Sequence, residues 1–268
     1  MRKLVKKAIN RALSPLGLKI ARPEPPGVDM ATYIRCITEF HGFYIQHVFP
    51  TLPVMENRVQ FLANLGGGCG ISKAMYILDC LHKACEREGD VCEFGVAQGT
   101  TSALIANELQ HTDKNLWLFD SFTGLGKPTA KDQLLDDILG LGSIEAYQGT
   151  LSHQASEVQA RLKETGFPES RVRIIPGYIE ETMNQAQLPE KTCFAFIDFD
   201  FYEPTAIALK LLSTRWAKGG YAIVDDYGFF SSGAKTAVDE FLSAHGDAVE
   251  MTLPPTYAGR FAILRNKL

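Results

Sequence analysis

The chain has 268 residues, 46% of them hydrophobic, and shows no compositional sign of disorder, so it can bury one sizeable core plus an extension. Its net charge of −4 hides an asymmetry: Arg2, Lys3, Lys6, Lys7, Arg11, Lys19 and Arg22 stand in the first 23 residues without an acid, which leaves the remainder at −11. A basic tail on an acidic body argues against nucleic acid as the main substrate and for an anionic surface as the tail's partner. The six cysteines, with no CxxC pair and no secreted disulfide spacing, read as reduced thiols of a cytoplasmic protein.

Residues 1–27 come first. Met1, Leu4, Val5, Ala8, Ile9, Ala12 and Leu13 recur at helical spacing opposite the cations, until Pro15 and Gly17 end the pattern. This is the profile of a helix lying at the inner face of a membrane as a peripheral contact. Packing of the stripe on the body, or on a second copy in a homo-oligomer, is the other reading, and an organellar transit peptide a third. No run of 18 apolar residues exists, so no spanning helix is expected. Arg22-Pro-Glu-Pro-Pro-Gly27 is a stiff linker.

Residues 28–88 read as an interrupted helical extension, with a glycine loop at 66–70 and a helix from Ser72 to Glu88. Such a segment before an α/β core is expected to form a lid or to pack on one edge of the sheet. From 89 to 268 strand and helix alternate. Val91–Val96, Leu116–Phe119, Val172–Ile175, Cys193–Ile197 and Tyr221–Val224 are short apolar runs of the buried parallel type, and Val249–Leu253 with Arg260–Leu264 form a terminal hairpin-like pair. The alternation predicts an α/β, Rossmann-like, doubly wound sheet.

Three acidic clusters end apolar runs: Glu93 to Gly99, Asp198 to Glu203, and Asp225-Asp226. In such a sheet, ligands bind at the carboxyl ends of the strands. Gly95 and Gly99 allow close backbone approach, and Thr100 opens a helix whose free amides face a ligand. Glu93 would repel a pyrophosphate but suits a ligand with an ammonium group. Asp120, at the next strand end, is placed for a ribose diol. Acid, glycines, then acid is the pattern expected for S-adenosylmethionine, with Ser121 beside Asp120 completing the set. A nicotinamide oxidoreductase is disfavoured by Glu93 and by the missing third glycine. Asp198, Asp225 and Asp226 end neighbouring candidate strands, where their oxygens suit a hard cation such as magnesium. Asp200 is expected to cap the helix that begins near Pro204. His41, His47 and His153 read as structural or solvent-facing, with a lid or acceptor role as the alternative.

Glu93 to Gly99, Asp120-Ser-Phe-Thr-Gly-Leu125, Asp198-Phe-Asp-Phe-Tyr-Glu203 and Gly219-Gly-Tyr-Ala-Ile-Val-Asp-Asp-Tyr227 together resemble the macrocin O-methyltransferase family, over roughly residues 60–245. The resemblance implies a class I methyltransferase fold, S-adenosylmethionine as methyl donor, and a magnesium ion on Asp198, Asp225 and Asp226. It also implies a sugar or glycosylated small molecule as acceptor. The family's small residue between the first two acids is Phe199 here. The general base expected is Asp198 or a metal-bound hydroxide. Methylation of catechol-like phenols is the runner-up, and a membrane-tethered binding protein without turnover is the reading from another class.

Overall fold

The computed structural model describes residues 27, 29–66, 69–183 and 187–268; the basic arm falls outside the described residues. The backbone divides into two units, 1–36 and 37–268. Helix α1, Met30–Phe43, begins in the first, where the Asp29 carboxylate caps it by accepting from the Thr32 amide at 2.9 Å and the Thr32 hydroxyl at 2.8 Å.

In the second unit, α2 (Arg58–Ala63) and α3 (Ile71–Cys85) precede strand β1 (Asp90–Phe94). Then follow α4 (Thr100–Glu108), β2 (Leu116–Asp120), α5 (Ala155–Glu164), β3 (Val172–Pro176), α6 (Ile179–Thr182) and β4 (Thr192–Ile197). The chain ends with α7 (Tyr202–Arg215), β5 (Trp216–Val224), α8 (Gly233–His245), β6 (Val249–Thr252) and β7 (Ala262–Asn266). The described strands form one sheet in the order β3-β2-β1-β4-β5-β7-β6. The first five run parallel, while β7 lies antiparallel between β5 and β6. The doubly wound sheet and its terminal antiparallel pair are therefore as the alternation predicts.

Side-chain alternation sorts the core into two layers. Val91, Phe194, Phe196 and Ile223 face α3, α4 and α5, whereas Cys92, Phe94, Ile197 and Val224 face α7 and α8. All six residues of β4 are buried, which explains its uninterrupted apolar sequence. Two expectations need adjustment. β3 is an edge strand with Arg173 exposed, so the run at 172–175 is only half covered. β5 begins at Trp216 rather than Tyr221, because Gly219-Gly220 sits in an irregularity of the pairing with β4 instead of a turn. A Cβ on Gly220 would stand 2.7 Å from the Cys193 carbonyl, so only glycine lets the strands approach there.

Candidate active site

Hydrogen bonding carries the sheet one residue past β1, β4 and β5. The Asp198 amide donates to the Phe94 carbonyl at 2.7 Å and the Asp225 amide to the Ile197 carbonyl at 2.8 Å. With Phe94 level with Ile197 and Ile197 level with Val224, the next rung is Gly95, Asp198 and Asp225. Glu93 lies two residues before Gly95 and so shares its face. Three carboxylates therefore stand on the layer that faces α3. Phe199 turns to the opposite layer, with its ring 6.1 Å from that of Phe94.

The backbone fits this convergence closely. Gly95 has φ +85°, and a Cβ there would meet the Asp198 carbonyl at 1.9 Å. Gly99, at φ +79°, leads into α4, whose first residue, Thr100, donates its hydroxyl to the Leu65 carbonyl at 3.3 Å. Asp120 closes the turn: its Oδ2 accepts the Val96 and Ala97 amides at 2.7 and 2.9 Å, and its Oδ1 accepts the Phe122 amide at 2.7 Å. A carboxylate offers about four acceptor sites, so one remains for a ligand hydroxyl. Ser121 donates to the Gly124 carbonyl at 2.8 Å within its own turn.

Glu93 is 1% exposed and accepts the Ser102 hydroxyl at 2.5 Å. Burial pushes its carboxyl up to about 8; the Ser102 bond opposes the shift and the Asp120 charge adds to it. Asp198 is held well above the usual carboxylate range by burial, then by the Asp225 charge, against the pull of Lys73. Asp200 and Asp226 share a hydrogen bond and hold their protons to about 7 and about 9, chiefly through burial and neighbouring acids. Both adopt left-handed backbone, at φ 64° and 54°. At Asp200 this ends the strand's alternation, and the residue does not cap the next helix. The first amide of α7, that of Tyr202, goes instead to Oδ1 of Asp132 at 2.7 Å.

The cation facing these acids is Lys73, which sequence reasoning passed over. Its ammonium donates to Asp225 Oδ2 and is 10% exposed. Burial alone would lower its proton affinity, but Asp225 and Asp198 outweigh it and the net shift is upward. The signal was present: Lys73 stands four residues before Ile77 and eight before Leu81, on the apolar stripe of α3. Cys69 faces the same acids, its thiol pushed up to about 12 by burial.

The charge balance suits a hard divalent cation, with Asp198, Asp200, Asp225 and Asp226 crowded together, one lysine and oxygen donors throughout. Among the described residues, however, no three His, Cys, Asp or Glu side chains converge as a ligand group. Asp225 gives one oxygen to Lys73 and the other to the Asp226 amide at 2.9 Å. The histidines lie elsewhere. His153 is 3.6 Å from Glu157, His47 packs on Phe43, and His41 sits 3.4 Å from the buried Arg58. Tyr178 is half-buried just beyond β3.

Comparison with known proteins agrees with this architecture. A tetracenomycin-type rhamnosyl 4'-O-methyltransferase of Streptomyces olivaceus is 29% identical over 59% of this chain and 59% of its own length. Mycinamicin III 3''-O-methyltransferase of Micromonospora griseorubida is 31% identical over 61% of this chain and 64% of its own length. The chain thus spans about three fifths of these two relatives. Among solved structures, the O-methyltransferase NovP covers 90% of this chain and 100% of its own, with a TM-score of 0.65 at 22% identity. The calicheamicin methyltransferase CalS11 covers 92% and 99%, with 0.59 at 19%. The fold is that of class I methyltransferases. Residues 75–253 match the macrocin O-methyltransferase (TylF) family, and the chain belongs to that family.

Proposed function

We propose that the protein is a magnesium-dependent O-methyltransferase that uses S-adenosylmethionine to methylate a hydroxyl of a sugar or glycosylated small molecule. The observation that carries this reading is the single rung of Gly95, Asp198 and Asp225 with Glu93 on the same face. It brings a glycine turn suited to the donor beside carboxylates suited to an ion and the acceptor. The named activities of the relatives, which are O-methylations of glycosides, support the acceptor class.

In this reading Glu93, the turn from Gly95 to Gly99 and the start of α4 hold the amino-acid end of the donor, and Asp120 takes a ribose hydroxyl. Asp198, Asp225 and Asp226 would hold the ion. When bound, donor and ion supply, respectively, an electrophilic methyl group and a positive charge that acidifies the acceptor hydroxyl. Asp198 takes the hydroxyl proton at its carboxylate. Burial and the Asp225 charge raise its proton affinity, which makes it a stronger base than an ordinary carboxylate. Lys73 fixes one oxygen of Asp225 and offsets part of the acid cluster's charge.

Metal removal tests the reading. Excess chelator is expected to abolish methyl transfer and magnesium to restore it, with donor affinity by calorimetry unchanged throughout. Full turnover in chelator would leave the acids as structural groups and point to a metal-free reaction.

For the arm, we propose a peripheral address at an anionic bilayer on the cytoplasmic side. Each basic residue near such a surface contributes about 1 kcal/mol, and the apolar stripe adds burial. Replacing Lys6, Lys7 and Arg11 by Glu should abolish sedimentation with phosphatidylserine vesicles and leave turnover of a soluble acceptor unchanged. Equal sedimentation of the two proteins would exclude the address.

A further inference from the structure

The connection from β2 to α5 runs from residue 121 to 154 with a single short helical turn, Glu145–Tyr147. Loops of that length in compact folds are uncommon and usually functional. Its base is closed by the Leu125 amide on the Thr150 carbonyl at 2.9 Å and the Gly149 amide on the Leu125 carbonyl at 2.8 Å. Its middle reaches the far side of the carboxylates. There Leu134 bridges Ser231, the Leu135 amide donates to the Phe230 carbonyl at 2.8 Å, and the Ser231 hydroxyl donates to the Asp200 carbonyl at 2.7 Å. The connection therefore crosses the carboxyl edge of the sheet, from the end of β2 to beyond β5.

Its tip is inverted relative to an ordinary surface loop. The Asp137 carboxylate accepts the Leu141 amide at 2.7 Å, the Gly142 amide at 3.0 Å and the Tyr147 hydroxyl at 2.7 Å, and the Tyr147 oxygen accepts the Leu139 amide at 2.8 Å. Gly140 and Gly142, at φ +70° and +86°, supply the left-handed turns this needs. The polar groups are satisfied inside, while Leu135, Ile138, Leu139 and Leu141 are left 41% to 51% exposed. Beneath them Tyr147 packs on Phe230 at 4.7 Å and Phe230 on Phe201 at 6.0 Å, next to Asp200. A rigid apolar knuckle is thus bolted to the rim of the acidic site.

We propose that this knuckle receives the apolar, non-sugar part of a glycosylated acceptor while the sugar lies toward the carboxylates. The inference rests on the reading of the protein as a glycoside O-methyltransferase and names what it recognises beyond the sugar. Four aliphatic side chains suit one small-molecule ring system. A stable pairing of two copies would bury roughly 800 Å² a side, and Asp136 and Asp137 beside the aliphatics oppose an anionic bilayer.

The test uses two probes with one sugar, methyl α-L-rhamnoside and 1-naphthyl α-L-rhamnoside, titrated calorimetrically into the full-length protein with S-adenosylhomocysteine and magnesium. The naphthyl glycoside is expected to bind about tenfold more tightly. The variant Ile138→Ser/Leu141→Ser should lose that advantage and keep its affinity for S-adenosylhomocysteine and for the methyl glycoside. Tyr147→Phe, which unpins the loop but leaves its aliphatics in place, should lose part of it. Equal binding of the two probes by the unaltered protein, or an advantage that survives in the double variant, overturns the proposal. So does self-association or vesicle binding that only the unaltered protein shows. Methyl transfer from labelled donor is read separately. Selective binding without transfer counts against the enzymatic reading and leaves the knuckle as the apolar subsite.

Discussion

Asp198→Asn is expected to lower methyl transfer by about a thousandfold or more, with donor affinity changed less than twofold. General acid–base participation alone is worth about 10² to 10⁴ in rate, and the asparagine would also remove a charge from the ion's donor set. Folding should be unharmed. The Asp198 backbone bond to Phe94 does not involve the side chain, and the substitution relieves the repulsion that Asp225 and Asp226 exert on Asp198. The measurements are kcat at saturating magnesium and calorimetric titration with S-adenosylhomocysteine. A kcat within tenfold of the original would remove Asp198 from the chemistry and leave it as a structural acid.

Glu93→Gln should produce the largest change in stability, and a favourable one. The folded-state carboxyl is raised from 4.5 to about 8, so between those values the native protein holds a proton that the unfolded chain has released. Stability contributed by this group is fully present below about pH 4.5, falls as pH rises through the window, and is gone above about pH 8. Glutamine keeps an acceptor for Ser102 and has no charge to bury. The variant's advantage in urea unfolding should therefore grow from near zero at pH 4 to roughly 5 kcal/mol at most above pH 8. Taking the difference between the two proteins cancels the titrations of Asp200 and Asp226, which they share. Donor affinity should fall in the same variant, because a buried carboxylate without a cation is tolerated only for what it binds. A pH-independent difference in stability would mean that Glu93 titrates in its ordinary range.

The strand positions and the acids at their ends were legible because a strand buried on both faces leaves an uninterrupted apolar run, and a charge ends it. Cys193–Ile197 before Asp198 is the clearest case. What stayed hidden depends on contacts between distant parts of the chain. Lys73 reads locally as a solvated lysine, and its partner is 152 residues away. Asp132 takes the first amide of α7 across 70 residues, a role that adjacency had suggested for Asp200. Asp120, read as placed for a ribose diol, spends three of its acceptor positions on the amides of Val96, Ala97 and Phe122. The apolar tip at 135–141 has neither helical nor strand period, so no pattern marks it. The start of β5 reads as Tyr221 rather than Trp216, because the glycine pair at 219–220 and Lys218 interrupt the apolar run before it.

The buried pair between α2 and α4 bears on how a ligand enters. Arg58 and Glu108 side chains have no exposure, meet at 2.8 and 2.5 Å, and His82 adds a third contact to Glu108 at 2.6 Å. Separating α2 from α4 would strand a charge in a medium that cannot solvate it, at a cost of about 3 to 5 kcal/mol. Thermal fluctuation alone would then open that side less than one part in a hundred of the time. That side of the site therefore behaves as one fixed wall, and any opening that admits a ligand has to come from elements other than α2 and α4.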